Sequence, residues 1–317
     1  MIGTVDKETR KNVKYEIRER KNMKFRKVTA IIGAAVMMMS LAACGSSNDG
    51  GSSDGGDGGS SSGGSINVIS REDGSGTRGA FVELMGVVDE DDNDITTVNA
   101  EITNSTSVML TTVAGNPAAI GYVSLGSLSD EVKAIKVDGV AATVEDINNG
   151  TYKVARPFLV AYKDGSLTDV AQDFLNYIMS DDGQAIINEE GYISVAEGNT
   201  YTASGMSGRI VLAGSTSVSP VMEVLADAYK ALNPDVTIEI QQTGSGAGIT
   251  SATEGVCDFG MSSRELKDSE AAELASTQIA MDGIAVVVNN ENTLDDITSE
   301  QIKSIYLGET TDWADVK

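Results

Sequence analysis

Three short stretches carry the residue types that hold an oxyanion: Asp73-Gly-Ser-Gly-Thr77, Ala213-Gly-Ser-Thr-Ser217 and Thr243-Gly-Ser-Gly-Ala247. Glycine lets the backbone approach a ligand closely, and the serine and threonine hydroxyls donate hydrogen bonds. Each stretch opens a helical pattern. First-turn amides have no partner inside a helix, and the helix dipole favours negative charge there, so such an end receives phosphate, sulfate or carboxylate. One such loop reads as an ordinary N-cap, in which the hydroxyl only satisfies an amide. Three of them, all following strands, point to a shared site at the carboxyl ends of a sheet. Arg71, just before the first loop, adds a fixed positive charge and a planar donor fork.

Other chemistries fit less well. The 317 residues include no histidine, which excludes histidine-dependent acid–base and metal chemistry. Gly74-Ser-Gly-Thr-Arg-Gly79 formally matches a dinucleotide-binding fingerprint. The acidic residue required further on is replaced by the polar run Asp89 to Asp94, and no glycine loop is followed by a Walker A lysine. A phosphate-ester-processing enzyme would need an activated nucleophile or a spaced ligand set, and the sequence offers neither, so no catalytic residue, metal or cofactor is expected. Cys257, beside Val256 and close to Phe259, reads as a buried structural thiol.

The elements that would position these loops alternate along the chain. Ile66–Ile69, Ile210–Leu212 and Val236–Ile240 read as strands, and Ile284–Val288 is a continuous apolar run suited to burial on both faces. Val221, Leu225, Ala228, Tyr229 and Leu232 fall at helical spacing, stopped by Asn233-Pro234, and Phe174, Ile178, Ile186 and Ile187 mark further helices. The class is α/β, with mostly parallel strands expected. A stretch of low complexity, 196–208, divides segment 66–195 from segment 209–317.

The N-terminal region reads differently. Lys24, Arg26 and Lys27 precede an apolar run that ends in Leu41-Ala-Ala-Cys44-Gly45, the pattern of a lipoprotein signal in which Cys44 is acylated. Residues 1–43 are the expected signal region, with Met23 a candidate true start, and 44–65 form a Gly/Ser/Asp-rich tether. From Cys44 onward the chain carries 13 basic and 43 acidic residues, a net charge of −30, which disfavours nucleic acid as a partner. Exposed carboxylates beyond about 8 Å are screened at physiological salt, so this charge does not forbid an anionic ligand held by local dipoles.

Several linked motifs, SREDGSGTRGAF, GSTSVSPVMEVLADAY, QQTGSGAGI, CDFGMSSREL and NSTSVMLTTVAGNPAAIGYVSLGS, closely resemble the phosphate-binding proteins of bacterial ABC phosphate importers. The resemblance implies a two-lobed, type II-like periplasmic-binding-protein fold that takes inorganic phosphate in a cleft between lobes. It implies an ABC phosphate permease as partner and lipid anchorage at the outer face of the cytoplasmic membrane. A surface sensing or adhesion module that kept the fold is the alternative from another class. In the family the GSTS segment comes first, whereas here SREDGSGTRG does, so the chain reads as a circular permutant. The expected lobes are 66–155 plus 286–317, and 156–285; a truncated tandem array is the competing arrangement.

By the same resemblance, Thr216, Ser217, Ser245 and Asp258 come from one lobe and Arg71, Ser75, Gly76 and Thr77 from the other. Arg71 supplies the charge, and Asp73 is expected to hold its fork in place. Asp258 is expected to accept a hydrogen bond from a protonated phosphate oxygen, which sulfate lacks at neutral pH.

Overall fold

The computed structural model describes residues 64–91 and 93–316. The expected signal region and nearly all of the tether, with Met23 and Cys44, lie outside the described residues. Strands and helices alternate as follows: β1 (Asn67–Arg71), α1 (Gly76–Met85), β2 (Glu101–Thr103), α2 (Thr106–Ala114), β3 (Ala119–Ser124), β4 (Val132–Ala134), β5 (Lys136–Val137) and α3 (Val144–Asn148). They continue with β6 (Ala155–Tyr162), α4 (Asp169–Ile178), α5 (Asp181–Glu189), β7 (Ser207–Gly214), α6 (Ser219–Leu232), β8 (Asp235–Gln242) and α7 (Ser245–Glu254). The last are β9 (Phe259–Ser262), α8 (Asp268–Ala271), β10 (Ala275–Asn289), β11 (Asp296–Ile297) and α9 (Ser299–Leu307).

One sheet runs in the order β2-β1-β3-β10-β6-β9-β7-β8. Parallel pairs make its flanks, β2–β1–β3 on one side and β9–β7–β8 on the other. The centre is antiparallel: β10 pairs with β3 and β4 through Ile284–Asn289 and with β6 through Ala275–Gly283, and β6 pairs with β9. The parallel pairing expected from the alternation is thus found at the flanks, and the antiparallel pairing is confined to the centre. β6 and β10 are long enough to run between the flanks, and a strand crossing in the return direction meets its neighbours antiparallel. The apolar run Ile284–Val288 lies in β10 and is wholly buried, as a strand covered on both faces must be.

The flanks carry separate aromatic cores. Phe81 of α1 stacks on Tyr122 of β3 at 3.9 Å between centroids, with Tyr306 of α9 edge-on to Phe81. On the other side Phe174, Tyr177 and Tyr229 pack together. The helix beginning at Ser219 carries Pro220 in its first turn and ends before Asn233, where the sequence placed its stop. The stretch 196–208, low in complexity, is nonetheless anchored: Tyr201 is buried, its hydroxyl donates to Asp173 and accepts from Asn233.

Candidate functional site

The carboxyl ends of β1 and β7 deliver Arg71 and Ser215 to one place. Arg71, the last residue of β1, is 2% exposed. Its Nη2 donates to Thr216 Oγ1 at 3.0 Å and its Nη1 reaches Thr106 Oγ1 at 3.4 Å. Thr106 opens α2, and its hydroxyl lies 3.3 Å from both Thr216 Oγ1 and Ser217 Oγ. Thr77, in the first turn of α1, meets Ser217 hydroxyl to hydroxyl at 2.8 Å. Side chains more than a hundred residues apart thus form one buried cluster of hydroxyls around one guanidinium.

A second group of hydroxyls adjoins it. Ser215 Oγ donates to Ser263 Oγ at 2.9 Å while accepting from the Ser217 amide. Ser245 Oγ, at the start of α7, accepts from the Ser263 amide at 3.2 Å. Gly76 fits against this group because it has no side chain: a Cβ there would collide with Ser245 Oγ and come within 2.7 Å of Ser263 Oγ. The two glycine loops also touch through backbone, Gly246 N donating to Gly74 O at 2.9 Å. Ser75 is the N-cap of α1, its hydroxyl accepting from the Arg78 amide, and the amides of Gly76 and Thr77 find no partner among the described residues.

The structure brings Arg71, Ser75, Gly76, Thr77, Thr216, Ser217 and Ser245 together. Two expectations it corrects. The fork of Arg71 is held by Glu72, not Asp73: Nε donates to Glu72 Oε2 at 2.8 Å and Nη2 to Oε1 at 2.7 Å. Asp73 instead accepts from the Gly74 amide at the exposed loop tip. Glu72 follows the strand's last residue directly, so its carboxylate reaches the fork that the turn at Gly74 carries Asp73 away from.

Asp258 also lies elsewhere. It precedes β9, at the opposite end from the cluster, and its Oδ2 accepts from the Val211 amide at 2.8 Å. The strand that Asp258 begins then carries the chain to Ser263, which does join the cluster. Only the carboxyl end of a parallel strand faces such a site, and Asp258 stands at the amino end of β9.

Thr106, Ser215 and Ser263 were missed from the sequence. Thr106 lies in NSTS and Ser215 in GSTS, where the signal is a hydroxyl that follows a strand. Arg156 was missed as well. It is 2% exposed on β6, pairs with Asp282 of β10 at 3.1 Å, and donates through Nη1 to Ser263 O at 3.0 Å. Cys257 is buried, which pushes its thiol up to about 11 and keeps it protonated at neutral pH.

The PBP superfamily domain profile matches residues 48–182 and 199–317. Phosphate-binding protein PstS 2 of Streptococcus agalactiae serotype V is 50% identical over 257 residues, covering 80% of this chain and 88% of the relative. PstS 2 of Streptococcus pneumoniae serotype 4 is 44% identical over the same length. The crystal structure of a phosphate-binding protein of a phosphate ABC transporter from Streptococcus pneumoniae TIGR4 superposes with a TM-score of 0.66 at 44% identity, covering 80% of this chain and 100% of that one.

Proposed function

The chain belongs to the phosphate-binding protein family of the PBP superfamily, and from that membership we propose that it captures inorganic phosphate outside the cytoplasm and hands it to an ABC phosphate importer, without catalysis. The observation that carries this reading is the buried Arg71, ringed by Thr106, Thr216, Thr77 and Ser217 from both flanks of the sheet. A guanidinium and converging hydroxyls match a tetrahedral oxyanion in charge and in directed donors. Hydroxyls also accept, so a P–OH proton has a partner here without a carboxylate. Cys44 is the lipid attachment point in this reading, tethering the domain to the membrane that holds the permease.

The order of the two halves is a circular permutation in this reading. It is supported by the first and last described segments lying side by side: Ile66 N donates to Thr311 O at 2.8 Å and Trp313 N to Gly64 O at 3.0 Å. The lobes are taken as 66–155 plus 286–317, and 156–285, with β6 and β10 as the crossovers between them.

Thermal melting in a phosphate titration tests the function. A ligand that binds only the folded state stabilises it by about 2.7 kcal/mol at a hundred times its Kd. The melting temperature is expected to climb with phosphate, with no release of chromophore from a phosphate ester. A melt indifferent to millimolar phosphate would remove the proposal.

A further inference from the structure

Behind the serines, and outside the set of groups that would touch a ligand, lies the pair Arg156–Asp282. The two residues face each other on β6 and β10, the strands that join the flanks. Arg156 Nε and Nη2 both donate to Asp282 Oδ2, at 3.3 and 3.1 Å, and Nη1 donates to Ser263 O. Ser263 in turn gives its amide to Ser245 Oγ and receives Ser215 Oγ. One guanidinium therefore spans a carboxylate on β10 and the backbone of the hydroxyl group at the site. Asp282 Oδ1 is buried and makes no hydrogen bond of standard geometry, nor do the buried hydroxyls of Ser124 and Tyr192.

Resting on the phosphate-binding reading above, we propose that Arg156 is a positioning residue of the anion site, fixing Ser263, and that the charge state of Asp282 sets how strongly that site attracts an anion. With Asp282 ionised, the pair is neutral. With Asp282 protonated, the guanidinium stands uncompensated one carbonyl away from the serines, and the field at the site becomes more positive.

The groups around Asp282 define the titration. Arg156 faces it from β6, Tyr192 from the segment after α5 and Tyr152 from the segment before β6; both tyrosines are buried and stay neutral. Ser124 of β3 and the Gly126 amide lie near enough to favour the ionised form, as Arg156 does. Burial outweighs them and raises Asp282 to about 6. With no histidine in the chain, ordinary side chains are silent between pH 5 and 8. Arg71 is the other charge that acts on Arg156.

The test compares phosphate affinity of the full chain with that of Asp282→Asn across pH 5 to 8. Phosphate also changes charge in this range; the variant's own pH curve carries that ionisation alone, and the parent is expected to show an additional step where Asp282 titrates. The asparagine keeps an acceptor for Arg156 and mimics the protonated acid. The variant is expected to bind roughly fivefold more tightly at pH 8, with the advantage vanishing by pH 5, a coupling in the usual range for two sites.

Arg156→Lys, which cannot span Asp282 and Ser263 O together, is expected to weaken phosphate binding roughly tenfold while still melting cooperatively, the loss of about one charge-assisted hydrogen bond. A ratio for Asp282→Asn that does not change with pH, or an Arg156→Lys that lowers the melting temperature without moving the phosphate Kd, would overturn the proposal. A parent protein that binds no phosphate at any pH would overturn the functional reading and this one together.

Discussion

Arg71 has almost no water around it, and Glu72 fills two of its donor directions while leaving the rest for hydroxyls. A lysine has the charge without the fork, so Arg71→Lys is expected to cost phosphate affinity by ten- to a hundredfold, about 1.5 to 3 kcal/mol for a charged hydrogen-bond set. Equilibrium dialysis with radiolabelled phosphate measures it. Asp73→Asn, by contrast, touches only a turn amide and is expected to leave the Kd within twofold, as roughly neutral surface changes do. The displaced Asp258 gives the sharper contrast. Asp258→Ala removes the acceptor for Val211 N, so a stability loss of about 1 kcal/mol is expected in urea melts, with phosphate-over-sulfate preference unchanged. Residue types in the glycine loops were legible in the sequence because hydroxyl and glycine chemistry is local. Which of two adjacent acids reaches the arginine, and which end of a strand faces the ligand, depends on backbone direction, which composition does not encode.

Elements bring the loops into register. The start of α1 and the start of α7 abut so closely that Gly76 has no room for a methyl group. Gly76 has no need of left-handed backbone, unlike Gly74 beside it at φ 77°, so alanine is tolerated by α1 itself and only the contact across to Ser245 is blocked. Gly76→Ala is therefore expected to melt within a few degrees of the parent but bind phosphate at least about tenfold more weakly, since each 1.4 kcal/mol of lost contact is tenfold in Kd. Calorimetric titration beside a melting curve separates the two effects. The helix start after the first glycine loop was readable from its hydroxyl residue, and Ser75 is its cap. Strand polarity was not, because the apolar run in β10 looks the same whether its neighbours run with it or against it.

Across the whole molecule, the join between the halves decides whether a permuted order is sustainable. A permutant needs its old ends close enough to be joined without strain and its new ends in an exposed loop. The segment 196–208 meets the first condition through Tyr201, whose hydroxyl bridges Asp173 and Asn233, with Tyr229 donating to the same Asp173 oxygen. The Tyr201 phenol is raised to about 12, first by burial and then by Asp173, so it stays a donor throughout the physiological range. Tyr201→Phe leaves Asn233 and Asp173 short of a partner in a partly buried setting, and a loss of about 1 to 3 kcal/mol is expected. If 196–208 is only the join of a permuted domain, that loss appears in denaturant melts alone, and phosphate affinity and a monomeric mass in scattering are retained. If the chain were instead half of a tandem array, 196–208 would be a spacer between units completed by other chains. Weakening its anchor would then change the mass distribution towards exchanged dimers.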